Sequence, residues 1–243
     1  MHKNLKPFQD QDSSKKEQVT QMFDHIADHY DGLNRIITLG IDLQWRKRVV
    51  QKVGRQNPEK ILDIATGTAD LAIALTATKA NQIIGLDIAP NMLAVGEEKI
   101  KQKKLSDKID LQLGDSENLP FEDQSFEAVT VAFGVRNFEN LDRGLQEIWR
   151  VLKPQGILVI LETAVPQNKV LRWGYERYTQ TLLPLFGKLL AKDGSAYRYL
   201  SDSAAAFPCG QAFNNILGKN GFIDIEDNPQ TLGVASIYCA YKP

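Results

Sequence analysis

Apolar residues at Val19, Met22, Phe23, Ile26, Ala27 and Tyr30 recur at the i, i+3, i+4 spacing of one helix face, which predicts a helix beginning near Val19. A second helical stretch around 43–49 follows Gly40, so a pair of helices is expected over 18–50. Past Pro58 the period changes, and short apolar runs at 60–64, 82–87, 109–113, 126–131 and 156–161 predict five strands. Helical patterns over 70–78, 90–101 and 141–152 separate them, an order that implies right-handed crossovers and a parallel sheet. The rhythm breaks over 166–206, a long insertion rich in leucine and aromatics (Trp173, Tyr175, Tyr178, Leu182, Leu183, Leu185, Phe186). Strand character returns at 222–225 and 235–238, which predict an antiparallel hairpin at the sheet edge. The expected fold is α/β, a doubly wound and mostly parallel sheet in one domain over 18–243, with a helical cap in front.

Composition narrows this picture. A length of 243 residues with 43% hydrophobic positions suits one α/β domain with a sizeable core. The 29 basic residues nearly balance the 30 acidic ones, so no protein-wide field draws in nucleic acid. Cys209 and Cys239 lack CxxC spacing, which argues against a disulfide framework or a metal site and suits a reducing cytoplasm. Residues 1–17 are polar, lack the apolar core of a secretion signal and are expected to form a mobile arm. Nowhere do 18 apolar residues run together, so a cytoplasmic protein without a membrane span is expected.

In open parallel sheets ligands bind beyond the carboxyl ends of the strands, so the residues after each run carry the candidate chemistry. The first run leads into Asp63-Ile64-Ala65-Thr66-Gly67-Thr68-Ala69-Asp70, a turn of small residues that lets a ligand approach the backbone. It has one glycine where a pyrophosphate cradle wants GxGxxG, so a sulfonium nucleoside suits it better than a dinucleotide. The second run ends in Asp87, 24 residues after Asp63, where a carboxylate accepts both ribose hydroxyls. The third is followed by Gly114-Asp115-Ser116-Glu117, where an acidic group accepts from an adenine amino group. Each feature has a plain structural alternative, a helix cap or a tight packing turn. Their order and spacing together describe an adenosine.

Four local motifs resemble the menaquinone and ubiquinone biosynthesis C-methyltransferases, over a span from about Val19 to Lys242. They are Tyr30-Asp31-Gly32-Leu33-Asn34 with Gly40 and Trp45-Arg46-Lys47; Phe133-Gly134-Val135-Arg136-Asn137-Phe138; Arg150-Val151-Leu152-Lys153-Pro154-Gln155-Gly156 through Glu162; and Asp193-Gly194-Ser195-Ala196-Tyr197-Arg198-Tyr199-Leu200. The resemblance implies a class I S-adenosylmethionine-dependent methyltransferase fold. Thr68, Asp87, Asp115 and Ser116 fall where that family binds the cofactor, with Gly67 in the same turn. Ala65 and Ala69 stand where methyltransferases often have glycine, and Gln155 replaces a glycine of the third motif. These departures are expected to be tolerated with φ below zero at the alanines.

The implied reaction methylates a ring carbon of a prenylated quinol, with demethylmenaquinol the favoured substrate because the long N-terminal extension of organellar benzoquinol enzymes is lacking. The carbon must be electron-rich, so the ring is reduced, and a base that removes a phenolic proton of pKa near 10 activates it. His29 and Tyr30 on the cap helix and Arg136 and Asn137 after the fourth strand are the substrate-side candidates; His25 is read as structural. Their alternatives are a solvated histidine, a tyrosine of the apolar stripe and a helix-end ion pair. The 166–206 insertion would take the prenyl tail and touch a bilayer transiently, with Lys188 and Lys192 excluding deeper insertion. Its alternative is ordinary packing of Leu182, Leu185, Phe186 and Leu189. A methyltransferase of another small molecule and a non-catalytic protein of the same fold are the rival readings; oligomeric state stays open.

Overall fold

The computed structural model describes residues 5–8, 11–166, 168–177 and 194–243. Five parallel strands, β1 (Lys60–Ile64), β2 (Gln82–Asp87), β3 (Ile109–Leu113), β4 (Phe126–Ala132) and β5 (Leu152–Thr163), join a hairpin of β6 (Ile223–Gln230) and β7 (Ala235–Tyr241). The sheet order is β3-β2-β1-β4-β5-β7-β6, with β7 antiparallel to both neighbours. The helices are α1 (Lys15–Ile37), α2 (Asp42–Gly54), α3 (Asp70–Leu75), α4 (Pro90–Gln102), α5 (Leu141–Val151), α6 (Lys169–Arg177), α7 (Gly194–Ala206) and α8 (Gln211–Lys219).

Alternation along the strands divides the core into two layers. Leu62, Ile64, Val129, Val131 and Ile160 pack with Leu145 and Ile148 of α5 and Phe213 of α8. Ile61, Ala128, Val159 and Leu161 pack with Val49 and Val53 of α2 and Leu71 and Leu75 of α3 on the other face. A central parallel strand covered on both faces is apolar throughout, which is why β1 reads as a short continuous run. In the hairpin, residues 235–240 of β7 are all buried and take the inner place beside β5. β6, with Asp224, Glu226 and Pro229, forms the charged outer edge, where a missing N–H costs no ladder bond.

Helix α1 starts at Lys15, earlier than its apolar stripe suggests. Ser14 and Glu17 form a capping box: the Ser14 hydroxyl accepts from the Glu17 N–H, and the Glu17 carboxylate accepts from the Ser14 N–H at 2.9 Å. The expected mobile arm also needs correction for residues 5–8 and 11–17. Buried Gln18 accepts from the Phe8 N–H (2.9 Å) and donates to the Gln11 and Ser13 carbonyls (3.1 and 3.0 Å), while Leu5 and Phe8 pack beside Met22 and Ile26. One buried amide thus orders a segment whose composition is polar. Residues 178–193, which include the anticipated tail-binding side chains Tyr178, Leu182, Leu183, Leu185, Phe186 and Leu189 and also Lys188 and Lys192, lie outside the described residues.

Strand β5 begins four residues before the apolar run, because Leu152 pairs with Phe126 across a register shift. Gln155 sits in this stretch at φ 63°, with its N–H donated to the Lys242 carbonyl at 2.9 Å. A left-handed conformation costs an L-residue about 1–2 kcal/mol, part of which glycine returns as unfolded-state entropy. Gln155→Gly should therefore raise the free energy of urea unfolding by about 0.5–1 kcal/mol.

Candidate active site

The chain leaves β1 towards β2 on one side and returns to β4 on the other, so the carboxyl ends of β1 and β4 form the switch point where such sheets open a crevice. The turn after β1 folds back on β2: the Thr66 N–H donates to the Leu86 carbonyl (3.1 Å) and the Gly67 N–H to Asp87 Oδ2 (2.7 Å). This requires left-handed backbone at Ala65 (φ 52°), Gly67 (57°) and Ala69 (62°), which corrects the expectation of negative φ at both alanines. Methyl side chains are small enough to be held there. Across the crevice a Cβ on Gly134 would stand 2.6 Å from the Ala65 Cβ, so the β1 and β4 loops meet only because position 134 has no side chain.

Asp63 anchors this corner from below, accepting from the Thr66 and Thr130 hydroxyls at 2.6 Å each. Burial pushes its pKa up to about 6 against the pull of those two hydroxyls. Because the folded value exceeds the unfolded one, the folded state binds the extra proton, and stability falls as pH rises from about 4 to about 6, by roughly 3 kcal/mol from this group. Asp63→Asn should remove that slope. Urea unfolding of both proteins from pH 4 to 7 reads it as a difference that changes only below about 6.

The crevice spans about 700 Å³ counting its opening to solvent, between apolar Val19, Phe23, Leu86, Ile88, Met92 and Phe138. Gly67, Asp87, Asp115, Ser116 and Asn137 of the expected set line it. Asp87 is held by the Gly67 and Ala89 N–H groups (2.7 and 2.9 Å); its burial raises its pKa, and those backbone donors oppose the shift. Asp115 accepts from the Glu117 N–H (2.9 Å) and pairs with Lys16 of α1 at 2.6 Å. The crevice thus joins a buried carboxylate at the β2 end, an apolar slot and an acidic far end.

Thr68 is placed differently. It is 2% exposed and gives its hydroxyl to Asp31 of α1 at 2.5 Å. Asp31 also pairs with Lys99 (2.7 Å), and Lys99 with Asp70. Asp70 accepts from Arg35 (2.7 Å), and Arg35 reaches Asp42, which lies beside Arg46. This chain of alternating charges clamps the cap helix to the cofactor turn, and it explains the Tyr30–Asn34 motif, whose acidic member faces Thr68. Sequence spacing could not reveal it, since its members lie far apart along the chain.

After β4 a tight turn, Val135–Asn137, carries the substrate-side candidates. The Arg136 guanidinium is buried, donates to the Phe133 carbonyl (2.9 Å) and pairs with fully buried Glu162 of β5. Burial opposes its charge, but Glu162 and Tyr30 outweigh that and hold its pKa above the ordinary arginine value. Among the described residues, Arg136 Nε and Glu162 Oε2 are both buried without a hydrogen-bond partner. Buried Lys15 braces the turn through the carbonyls of Arg136 (3.1 Å) and Phe138 (2.7 Å). Tyr199 of α7, raised by burial to about 12, donates to Asn137 Oδ1 at 3.2 Å, which gives the 193–200 motif a role.

Beyond this turn lies a second, mainly apolar cleft lined by Ile37, Leu39, Trp45, Phe133, Arg136, Val170 and Leu200. Tyr30 and Phe133 line both clefts and stand where they meet. His29 lines neither: the helical period that turns Tyr30 inward beside Phe23 leaves His29 exposed, so it is no part of the assembled site. Glu162, Tyr199, Lys15, Asp31 and Lys99 were missed by sequence reasoning. Asp31, Glu162 and Tyr199 each lay within a quoted motif that did not reveal their partners, while Lys15 and Lys99 gave no signal.

This strand order, with a crevice at its switch point, is that of a class I S-adenosylmethionine-dependent methyltransferase fold. Solved structures agree in fold: a [4+2]-cyclase, SpnF, matches with a TM-score of 0.65 at 19% identity over 94% of this chain and 96% of its own. A methyltransferase of Thermotoga maritima matches with 0.64 at 17% identity over 92% and 99%. The profile of the ubiE/COQ5 methyltransferase family matches residues 11–242, and the chain belongs to that family. A relative from Bacteroides fragilis, a demethylmenaquinone methyltransferase, is 44% identical over 98% of this chain and 97% of its own.

Proposed function

We propose that the protein moves a methyl group from S-adenosylmethionine to a ring carbon of a prenylated quinol, converting demethylmenaquinol to menaquinol at the cytoplasmic surface of a membrane. The observation that carries this reading is the meeting of the two clefts at Tyr30 and Phe133, with Arg136 on the wall of the apolar cleft and its partner Glu162 buried behind it. The bound cofactor supplies an electrophilic methyl on a sulfonium. Asp87 would accept the ribose hydroxyls, Asp115 and Ser116 would meet the adenine edge, and Phe23 and Met92 would flank its ring.

The apolar cleft suits a fused aromatic ring and the first units of an isoprenoid tail. A quinol ring carbon becomes nucleophilic when a neighbouring hydroxyl loses its proton. Arg136 Nε–H needs an acceptor and Glu162 Oε2 needs a donor, and an unpaired buried polar atom costs about 1–3 kcal/mol. A hydroxyl answers both needs, whether the quinol's own or that of a water relaying to it. Glu162 then takes the hydroxyl proton while the fixed charge of Arg136 holds the quinolate oxygen, and the hydrogen of the methylated carbon leaves as a proton to that oxygen when the ring regains aromaticity. Asn137, oriented by Tyr199, lines the cofactor side of the junction. Incubation with S-adenosylmethionine and reduced demethylmenaquinol tests the reading, since one methyl should appear on the ring.

A further inference from the structure

The mouth of the apolar cleft is built from three segments far apart in sequence: the turn after α1, the first turns of α6 and the connection between β6 and β7. At it stand Leu39, Val170 and Leu232, at 78%, 76% and 73% the most exposed large hydrophobic side chains among the described residues, and all three line this one cleft. Isolated exposed leucines are ordinary; a ring of them around one opening marks an interaction surface. Leu232 is held outward by backbone at φ 59°, an uncommon conformation for leucine, in a turn pinned by the Trp45 indole to the Thr231 hydroxyl at 2.8 Å. Trp173, 63% exposed, lies one turn beyond Val170 on α6, and Leu43, 53% exposed, lies four residues past Leu39 in the first turn of α2.

Basic side chains gather beside this ring. Exposed Lys169, Arg172 and Arg177 flank Val170 and Trp173 on α6, with the Arg177 guanidinium 5.9 Å from the Trp173 ring centroid, and exposed Lys47 follows Leu43 by one turn. The whole chain carries a net charge of only −1, so this basic concentration is local. Tryptophan and aliphatic side chains edged by lysine and arginine are the composition of a surface that lies in the headgroup layer of a membrane. Among the described residues no helix is long and apolar enough to cross one.

We infer that this face docks on an anionic lipid bilayer with the cleft mouth against the headgroups, so that an isoprenoid tail passes from the acyl layer into the cleft without crossing water. The inference rests on the proposed reading of that cleft as a site for a prenylated ring. Val170 and Trp173 of this surface belong to the 166–206 insertion, whose leucine and aromatic content suggests transient membrane contact.

Co-sedimentation of the full chain with vesicles of phosphatidylcholine, with and without phosphatidylglycerol, tests the inference in the absence of cofactor and substrate. Binding to the anionic vesicles is expected, at least tenfold weaker on the neutral ones. The variant Leu43→Glu/Trp173→Glu, which leaves the cleft lining intact, should lose about tenfold in vesicle affinity and in methylation of vesicle-borne quinol. Its methylation of a water-soluble quinol with a truncated tail should stay at the wild-type level. Wild-type protein that remains in the supernatant with both vesicles, or a variant that sediments as well as wild type, would overturn the inference. Vesicle binding that depends on this face, without methylation of either substrate, would support the docking surface and reject the substrate reading.

Discussion

Arg136→Ala and Glu162→Ala should each cut methyl transfer by about a hundredfold to ten-thousandfold, the range a positioned acid or base supplies, with cofactor affinity unchanged. Each should also cost about 3–5 kcal/mol of stability, because the partner left behind is a buried charge without compensation. The two effects separate in a double variant. Arg136→Met with Glu162→Leu removes both charges and fills the same space, and a buried ion pair replaced by apolar groups is often neutral in stability. The account predicts a double variant that unfolds near the wild-type urea midpoint, binds S-adenosylmethionine and transfers no methyl. A stable double variant with wild-type turnover would show that the pair only braces the β4–β5 edge.

The second large effect is on the cofactor. Asp87→Ala removes a carboxylate that would accept from two hydroxyls, and hydrogen bonds to a charged group contribute about 1.5–3 kcal/mol each. The dissociation constant for S-adenosylmethionine should rise by about a hundredfold or more. The same change strips the Gly67 and Ala89 N–H groups of their acceptor, so some stability is lost as well. A domain with about 5–15 kcal/mol to spare remains folded through such a loss. Equilibrium dialysis on protein shown to be folded by circular dichroism therefore reads binding. Unchanged affinity would move the ribose away from the β2 end.

Most of the architecture was legible because strands buried on both faces leave compact apolar runs, so β1 and β2 match their predicted bounds residue for residue, and the alternating Ile109, Leu111 and Leu113 of edge strand β3 did the same. Where prediction slipped, local chemistry outweighed periodicity. The helix after the first turn stops at Leu75 rather than reaching 78, as the Thr76 and Thr78 hydroxyls bond back to the Ile73 and Leu75 carbonyls. The start of α1 was set by Ser14 and Glu17, not by the stripe.

That Asp87, Asp115 and Ser116 would share one crevice was readable for the same reason that the strands were. Asp87 ends β2, Asp115 and Ser116 lie two and three residues past β3, and topology alone carries them to one crevice. The substrate side was not. Arg136 needs Glu162 from the next strand, Asn137 needs Tyr199 from α7 62 residues on, and Thr68 finds its partner 37 residues earlier on the cap. Pairings between elements depend on how helices dock, which no spacing within one element encodes. The positive φ angles of Ala65 and Ala69 belong with them, since they follow from the closeness of the β1 turn to β2 and β4.

Mass spectrometry of the lipid after incubation with S-adenosylmethionine tests the central claim most directly, with demethylmenaquinol held reduced, the same compound left oxidised and a benzoquinol counterpart run in parallel. The account predicts one added methyl on the reduced naphthoquinol and none on the oxidised ring. No methyl on any ring, from protein that binds S-adenosylmethionine, would contradict it.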